Sequence, residues 1–254
     1  RRHTRSFHVT GVQTCALPIS NEVGAVTFAH QHGCGIIGDD VAGIDNFFVA
    51  LADHPNVQSV LAVGLGCETI QSQELAAKLL ARNVSTQYRI IQESGGVEGT
   101  VAAGVAAAQE LRAQYPERTV ALSSLTIGIE VGRTVAQLDE LEKLLKSEGC
   151  SVVTVRSEGS SAEAFSRLAE AKAHLIISFP DDNQPASGFP LIPVINVAGN
   201  GVLHQAIAGD FDCQEVNLLT EILALINNVV AGSQTIAEKN RSGEIRAPRV
   251  VRSV

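Results

Sequence analysis

The sequence predicts an α/β fold made of two Rossmann-like, three-layer units with mostly parallel sheets. Three observations lead there. Short apolar runs of strand length alternate with longer segments of helical period along most of the chain. The strand runs are apolar enough to be covered by helices on both faces. The polar and glycine-rich strings fall at strand ends, where loops belong. Hydrophobic residues make up 45% of the 254 positions, which supports a sizeable core and excludes wholesale disorder.

Each element has its own warrant. Val23–Ala29 reads as a buried strand, and Ile44–Ala52 as a helix with Ile44, Phe47, Phe48 and Leu51 at helical spacing. Val57–Val63 is a second strand, ending in Gly64-Leu65-Gly66. Ile70–Arg82 is a helix that turns Leu75, Leu79 and Leu80 to one side. Gln87–Gln92 is a third strand, and Val97–Ala113 a long helix whose small residues allow close packing on a sheet. Val120–Glu130 holds the next strand. Val135–Lys146 follows as a helix, with Leu138, Leu141, Leu144 and Leu145 inward. Ser151–Val155, Ala173–Phe179 and Ile192–Val197 complete the strands. Ala162–Ala171 and Leu218–Val230 complete the helices, and Pro180–Pro190 is too polar for the core.

Residues 1–19 differ from the rest. They carry three Arg, two His and no acidic residue, and Thr10, Gly11, Gln13 and Thr14 break any continuous apolar stretch of the kind a secretory leader needs. The string resembles translated sequencing adapter, and position 1 is not Met. The expected organisation is therefore a non-native segment over 1–19, one α/β domain over 20–122 and a shortened one over 123–254, in a reading frame that is a fragment.

Composition narrows the partners. The formal charge of -8 repels phosphate backbones, and basic residues cluster only at the two ends, so nucleic acid is not an expected partner. No apolar stretch reaches the length of a membrane span. Five scattered cysteines make no disulfide framework, which points to a reducing, cytoplasmic setting.

Three strand ends carry groups capable of chemistry. In His30-Gln31-His32-Gly33-Cys34-Gly35, an extended backbone puts His30, His32 and Cys34 on one face, as metal ligands or a base. The second is Gly64-Leu65-Gly66-Cys67-Glu68. It lacks the third glycine of a dinucleotide fingerprint, since position 69 is Thr69, but offers amides at a helix start beside a carboxylate. The third, Gln92-Glu93-Ser94-Gly95-Gly96, leads to Thr100 and suits an anion held by backbone amides. Cys150, Cys213, His174 and His204 stand alone and read as structural.

In this order H-x-x-G-C-G (His30, Gly33, Cys34, Gly35), H-P-N (His54, Pro55, Asn56), G-L-G-C-E (64–68) and Q-x-x-G-G (Gln92, Gly95, Gly96) resemble the altronate/galactarate dehydratase family. The likeness continues through Leu125–Glu130 and returns weakly near 193–200, 210–213 and 232–238. It implies a lyase that removes water from a hexarate or hexonate to give a 2-keto-3-deoxy acid, helped by Fe2+ or Mn2+. On this resemblance His30, His32 and Glu68 are the acid–base candidates, and His30 and Cys34 the metal ligands. Gly64, Gly66, Gln92, Gly95, Gly96 and Thr100 bind the sugar acid, and a homo-oligomer is expected. Where family members carry Cys-Gly-Gly-Ser-Asp, this chain has Val131-Gly132-Arg133-Thr134-Val135, and an acidic string, Asp181-Asp182-Asn183-Gln184-Pro185, replaces a glycine-rich loop. These departures open a second reading, a relative that keeps the scaffold as a binding or dimerisation module.

Overall fold

The computed structural model describes residues 5–10, 13–29, 38–113, 120–158, 160–243 and 245. The chain divides into two units, one over 4–116 and one over 117–245. Each is a parallel sheet with helices, the fold class expected.

The first unit has strands β1 (Arg5–Thr10), β2 (Val26–Ala29), β3 (Val57–Gly64) and β4 (Ser85–Ile90), and helices α1 (Gln13–Val23), α2 (Asp39–Ala52), α3 (Ser72–Leu80) and α4 (Gly96–Ala113). The strands lie in the order β2-β1-β3-β4, all parallel. From β1 the chain winds to β2 on one side and then to β3 on the other, so the winding reverses between β1 and β3. In open parallel sheets that reversal leaves a crevice at the carboxyl ends of the two strands, where ligands bind. Gly64, the last residue of β3, borders it. On one face Cys15, Ile19 and Val23 of α1 meet Ala107, Ala108 and Leu111 of α4 over Leu61 and Val63 of β3.

The exclusion of residues 1–19 from the fold is thereby corrected for 5–10 and 13–19. The backbone of β1 pairs with β2 and with β3, and Cys15 and Ile19 are fully buried. A strand bonded on both edges is marked by its two neighbours more than by its own composition, which is why charge and turn residues pointed elsewhere.

The second unit has β5 (Thr126–Val131), β6 (Ser151–Arg156), β7 (Leu175–Phe179), β8 (Val194–Ala198) and β9 (Cys213–Gln214) in the order β6-β5-β7-β8-β9. Its helices are α5 (Leu138–Ser147), α6 (Ser161–Glu170), α7 (Val202–Ala206), α8 (Leu218–Val230) and α9 (Ile236–Lys239). Here the winding reverses between β5 and β7. One core joins Ile127, Ile129 and Val131 of β5 to Leu141 and Leu145 of α5 and to Ile222 and Ile226 of α8. Strand β5 begins later than its apolar run suggests, because Leu122–Ser124 forms a 3-10 turn in which the Ser124 hydroxyl donates to the Ala121 carbonyl at 2.8 Å. Strand β8 starts after Pro193, which has no N–H for a ladder. Among the described residues no helix is long and apolar enough to cross a membrane.

The lone residues are structural, as expected. His174 accepts from the Thr126 amide through Nδ1 at 3.0 Å, joining the start of β5 to that of β7. Burial pushes the Cys150 thiol up, and pushes the Cys213 thiol up to about 12, helped by Glu221 and Asp212 nearby. At pH 8 a thiol of that acidity is ionised in roughly one molecule in ten thousand. Alkylation at pH 8 is therefore expected to mark exposed Cys67 long before Cys213, as peptide mass spectrometry would show. Equal rates at the two positions would contradict the buried placement of Cys213.

Candidate functional site

The site is built on the carboxyl ends of β3 and β4. After Gly64 the chain must turn sharply to enter α3, and Gly66 supplies the turn with φ at +113°, a conformation that side chains strain to adopt. The turn is held from inside. The Glu68 carboxylate accepts from the Leu65 amide at 2.5 Å and from the Gly66 amide at 3.1 Å. It is 7% exposed. Both oxygens thus face loop amides, and the Glu68 carbonyl accepts from the Gln71 carboxamide. This geometry makes Glu68 the holder of the loop.

The turn after β4 closes against the first loop. The Ile91 amide donates to the Gly64 carbonyl at 2.9 Å, which extends the ladder one residue past β4. Gln92 then lies beside Gly66, where an added Cβ would stand 2.7 Å from Gln92 Oε1 and 3.0 Å from Ile90 Cγ2. The backbone reverses through Gly95 and Gly96, both at positive φ, and the Gly96 amide donates to the Ile91 carbonyl at 3.1 Å. Helix α4 begins there. Thr100 is fully buried, and its hydroxyl donates to the Gly96 carbonyl at 2.7 Å, fastening the first turn of the helix to the glycine pair.

The structure therefore brings Gly64, Gly66, Glu68, Gln92, Gly95, Gly96 and Thr100 onto two adjoining loops of one sheet edge. Gln92, Gly95 and Gly96 are exposed there, while Glu68 and Thr100 are buried beneath. An exposed carboxamide beside the first amides of an 18-residue helix suits a hydroxylated anion, which needs donors along its length. His30, His32 and Cys34 lie outside the described residues. Among the described residues no group of three or more His, Cys, Asp or Glu side chains is placed to hold a metal ion. His54 of the H-P-N string is buried, and its Nδ1 accepts from the Asn56 amide at 3.1 Å, shaping the turn from α2 into β3.

Sequence reasoning missed a second polar assembly, at the carboxyl edge of the other unit. Glu130, Ser178 and Asn196 sit at matching positions on neighbouring strands β5, β7 and β8, and all three are fully buried. The Glu130 carboxylate accepts from the Ser178 hydroxyl at 2.8 Å, the Ser161 hydroxyl at 3.1 Å and the Ser157 hydroxyl. Each residue passes singly for a strand or loop residue. A carboxylate inside the apolar string Leu125–Val131 was the one available signal, because charge in a buried strand needs partners.

Comparison with known proteins bears on the first unit. Residues 6–115 match the family described as D-galactarate dehydratase/altronate hydrolase, second domain. Altronate dehydratase of Bacillus subtilis (strain 168) is 36% identical over 107 residues, which is 41% of this chain and 21% of that protein. Altronate dehydratase of Escherichia coli (strain K12) is 40% identical over 48 residues, 19% of this chain and 10% of that protein. The likeness thus spans about a fifth or less of the length of either relative. The matched stretch contains every loop of the site on β3 and β4. Over that stretch the chain is similar to the second domain of the altronate/galactarate dehydratase family.

Proposed function

We propose that this chain serves a sugar-acid hydro-lyase, in which the loops at the ends of β3 and β4 bind a hexarate or hexonate such as galactarate or altronate. The product is the 2-keto-3-deoxy acid. The observation that carries this reading is the meeting of the Gly64–Glu68 and Gln92–Gly96 loops on one edge, inside the stretch that matches the family.

The reaction removes the proton next to a carboxylate and expels the neighbouring hydroxyl as water. It needs a base, stabilisation of the resulting enediolate and an acid for the departing oxygen. In this reading Gln92 and the amides of the Gly64–Gly66 and Gly95–Gly96 turns orient the carboxylate and hydroxyls. Thr100 keeps the first turn of α4 in place, and Glu68 is a positioning residue that keeps the Leu65 and Gly66 amides aligned. His30 and His32 are the proposed proton carriers.

A divalent ion, Fe2+ or Mn2+, enters the proposal through His30 and Cys34 alone. The described residues do not complete a metal site, and the carboxylate of Glu68 has both oxygens on backbone amides. When bound, such an ion supplies positive charge at an enediolate. Self-association and a cytoplasmic setting belong to the same proposal.

The test is product formation. The purified chain, supplied in turn with Fe2+ and Mn2+ and with a panel of sugar acids, is expected to form a 2-keto acid from galactarate, altronate or a near relative. His30→Ala is expected to lower the rate by about 10²- to 10⁴-fold. A silent panel, with binding retained, would favour the second reading, a binding or dimerisation module. The observation on its side is that the family match stops at residue 115.

A further inference from the structure

The second unit lies beyond the family match, and its carboxyl edge holds an ion pair in which neither partner is hydrogen-bonded to the other. Arg133 follows β5, at the point where winding reverses between β5 and β7 and where open parallel sheets bind ligands. Its side chain is 7% exposed. One guanidinium nitrogen, Nη1, donates to Glu215 Oε2 at 2.5 Å, and Nη2 donates to the Val197 carbonyl at 3.2 Å. The group also lies over the Phe179 ring, 5.5 Å from its centre. The third donor, Nε, is buried and has no hydrogen-bond partner among the described residues.

Opposite that N–H stands Asp182. Its Oδ1 is 3.7 Å from Arg133 Nε, beyond hydrogen-bond reach, and 3.9 Å from His204 Nδ1. His204 Nδ1 is already accepting from the Gly199 amide at 2.9 Å, so it offers Asp182 no proton. The Asp182 side chain is 51% exposed. Gly199 leaves the backbone of the β8 loop against both groups: an added Cβ would stand 2.5 Å from Asp182 Oδ1 and 2.8 Å from Arg133 Nε. The loop between β5 and α5 also contains a second buried polar atom without a partner among the described residues, Gln137 Oε1.

A buried guanidinium N–H normally finds an acceptor, because leaving it unmade costs the desolvation of that group. Glu215 already meets the charge of Arg133, while Asp182 is near enough to be attracted to Nε and too far to accept its proton. We propose that the end of β5 is a binding site for a small carboxylate, with Arg133 as its anchor and Asp182 as a built-in competitor. The incoming carboxylate accepts from Nε of Arg133, and Asp182 swings outward into water, where half of it already lies. Glu215 stays in place, since its other oxygen accepts from the Ala136 amide at 3.3 Å and holds the start of α5. The acidic string 181–185 thereby acts as a filter: it repels anions that do not reach the guanidinium. This inference does not rest on the dehydratase reading, because it concerns the other unit and a binding event.

The probe is malonate, followed by isothermal titration and by thermal melting of the whole chain. Wild type is expected to bind it, and Asp182→Asn, which keeps the shape and removes the competing charge, to bind about tenfold more tightly. Arg133→Gln is expected to lose binding, and Arg133→Lys to retain only a weak remnant, since lysine has no fork of donors. If Arg133→Gln fails to fold, Asp182→Asn decides alone. Malonate bound equally by wild type and Asp182→Asn, or more weakly by the variant, would overturn the proposal. So would unchanged binding by folded Arg133→Gln, or no binding by either wild type or Asp182→Asn.

Discussion

Glu130→Ala is expected to destabilise the second unit by about 3 kcal/mol, combining a lost side-chain volume with stranded hydroxyls. Glu130 ties three segments together: Ser157 just past β6, Ser161 at the start of α6, and Ser178 on β7. Ser178 is fully buried, so alanine at 130 leaves its hydroxyl no route to water. Ser157 and Ser161 are only partly buried and can turn to solvent, which keeps the total from rising further. Ser157→Ala should accordingly cost less than about 1 kcal/mol. Hydrogen exchange is the suitable readout, because the chain has two units and a single unfolding midpoint would mix them. Faster exchange is expected over 151–161 and 175–179 in Glu130→Ala. An unchanged pattern would show that the serines hold those segments without the carboxylate.

Gly66→Val is the second large effect, this time on function. At a φ of +113° a β-branched side chain is strained, by roughly 1–3 kcal/mol. The same side chain would also enter the space of Gln92 and Ile90. The loop must then shift, carrying the Leu65 and Gly66 amides away from Glu68 and Gln92 away from the rim. Binding of galactarate or altronate is expected to fall below detection, while the far-ultraviolet circular dichroism of the chain stays near wild type. Gly66→Ala, without the branched carbon, should weaken binding less. Full affinity in a folded Gly66→Val variant would remove this loop from the site.

How much of this was legible beforehand varies with the kind of signal. Periodicity placed α3, α5, α6 and α8, and Leu75 and Leu79, Leu141 and Leu145, Phe165 and Leu168, and Ile222 and Ile226 face one way and are buried, whereas Leu80, expected on the side of Leu75, is 56% exposed. The glycine strings after β3 and β4 were legible as turns, and the structure joins them. Their joining was not legible, since it depends on the register that sets Gly64 opposite Ile90. Spacing leaves Glu68 between helix start and chemistry, and its two bonds to the Leu65 and Gly66 amides are contacts that spacing alone does not give. Strand β1 stayed hidden because the charge and turn residues of 1–19 pointed away from a strand. The row Glu130, Ser178 and Asn196 stayed hidden because three residues 48 and 18 positions apart share one level only after β7 has inserted beside β5. Arg133 and Asp182 likewise sit on separate loops, and only the sheet order makes them neighbours.

Hydrogen exchange of the intact chain with and without galactarate, and likewise with altronate, addresses the first unit directly. The account predicts slower exchange over 64–72 and 92–100 on addition of a sugar acid that binds, with the second unit unchanged. Protection confined to other segments, or binding that leaves both loops exchanging as before, would contradict it.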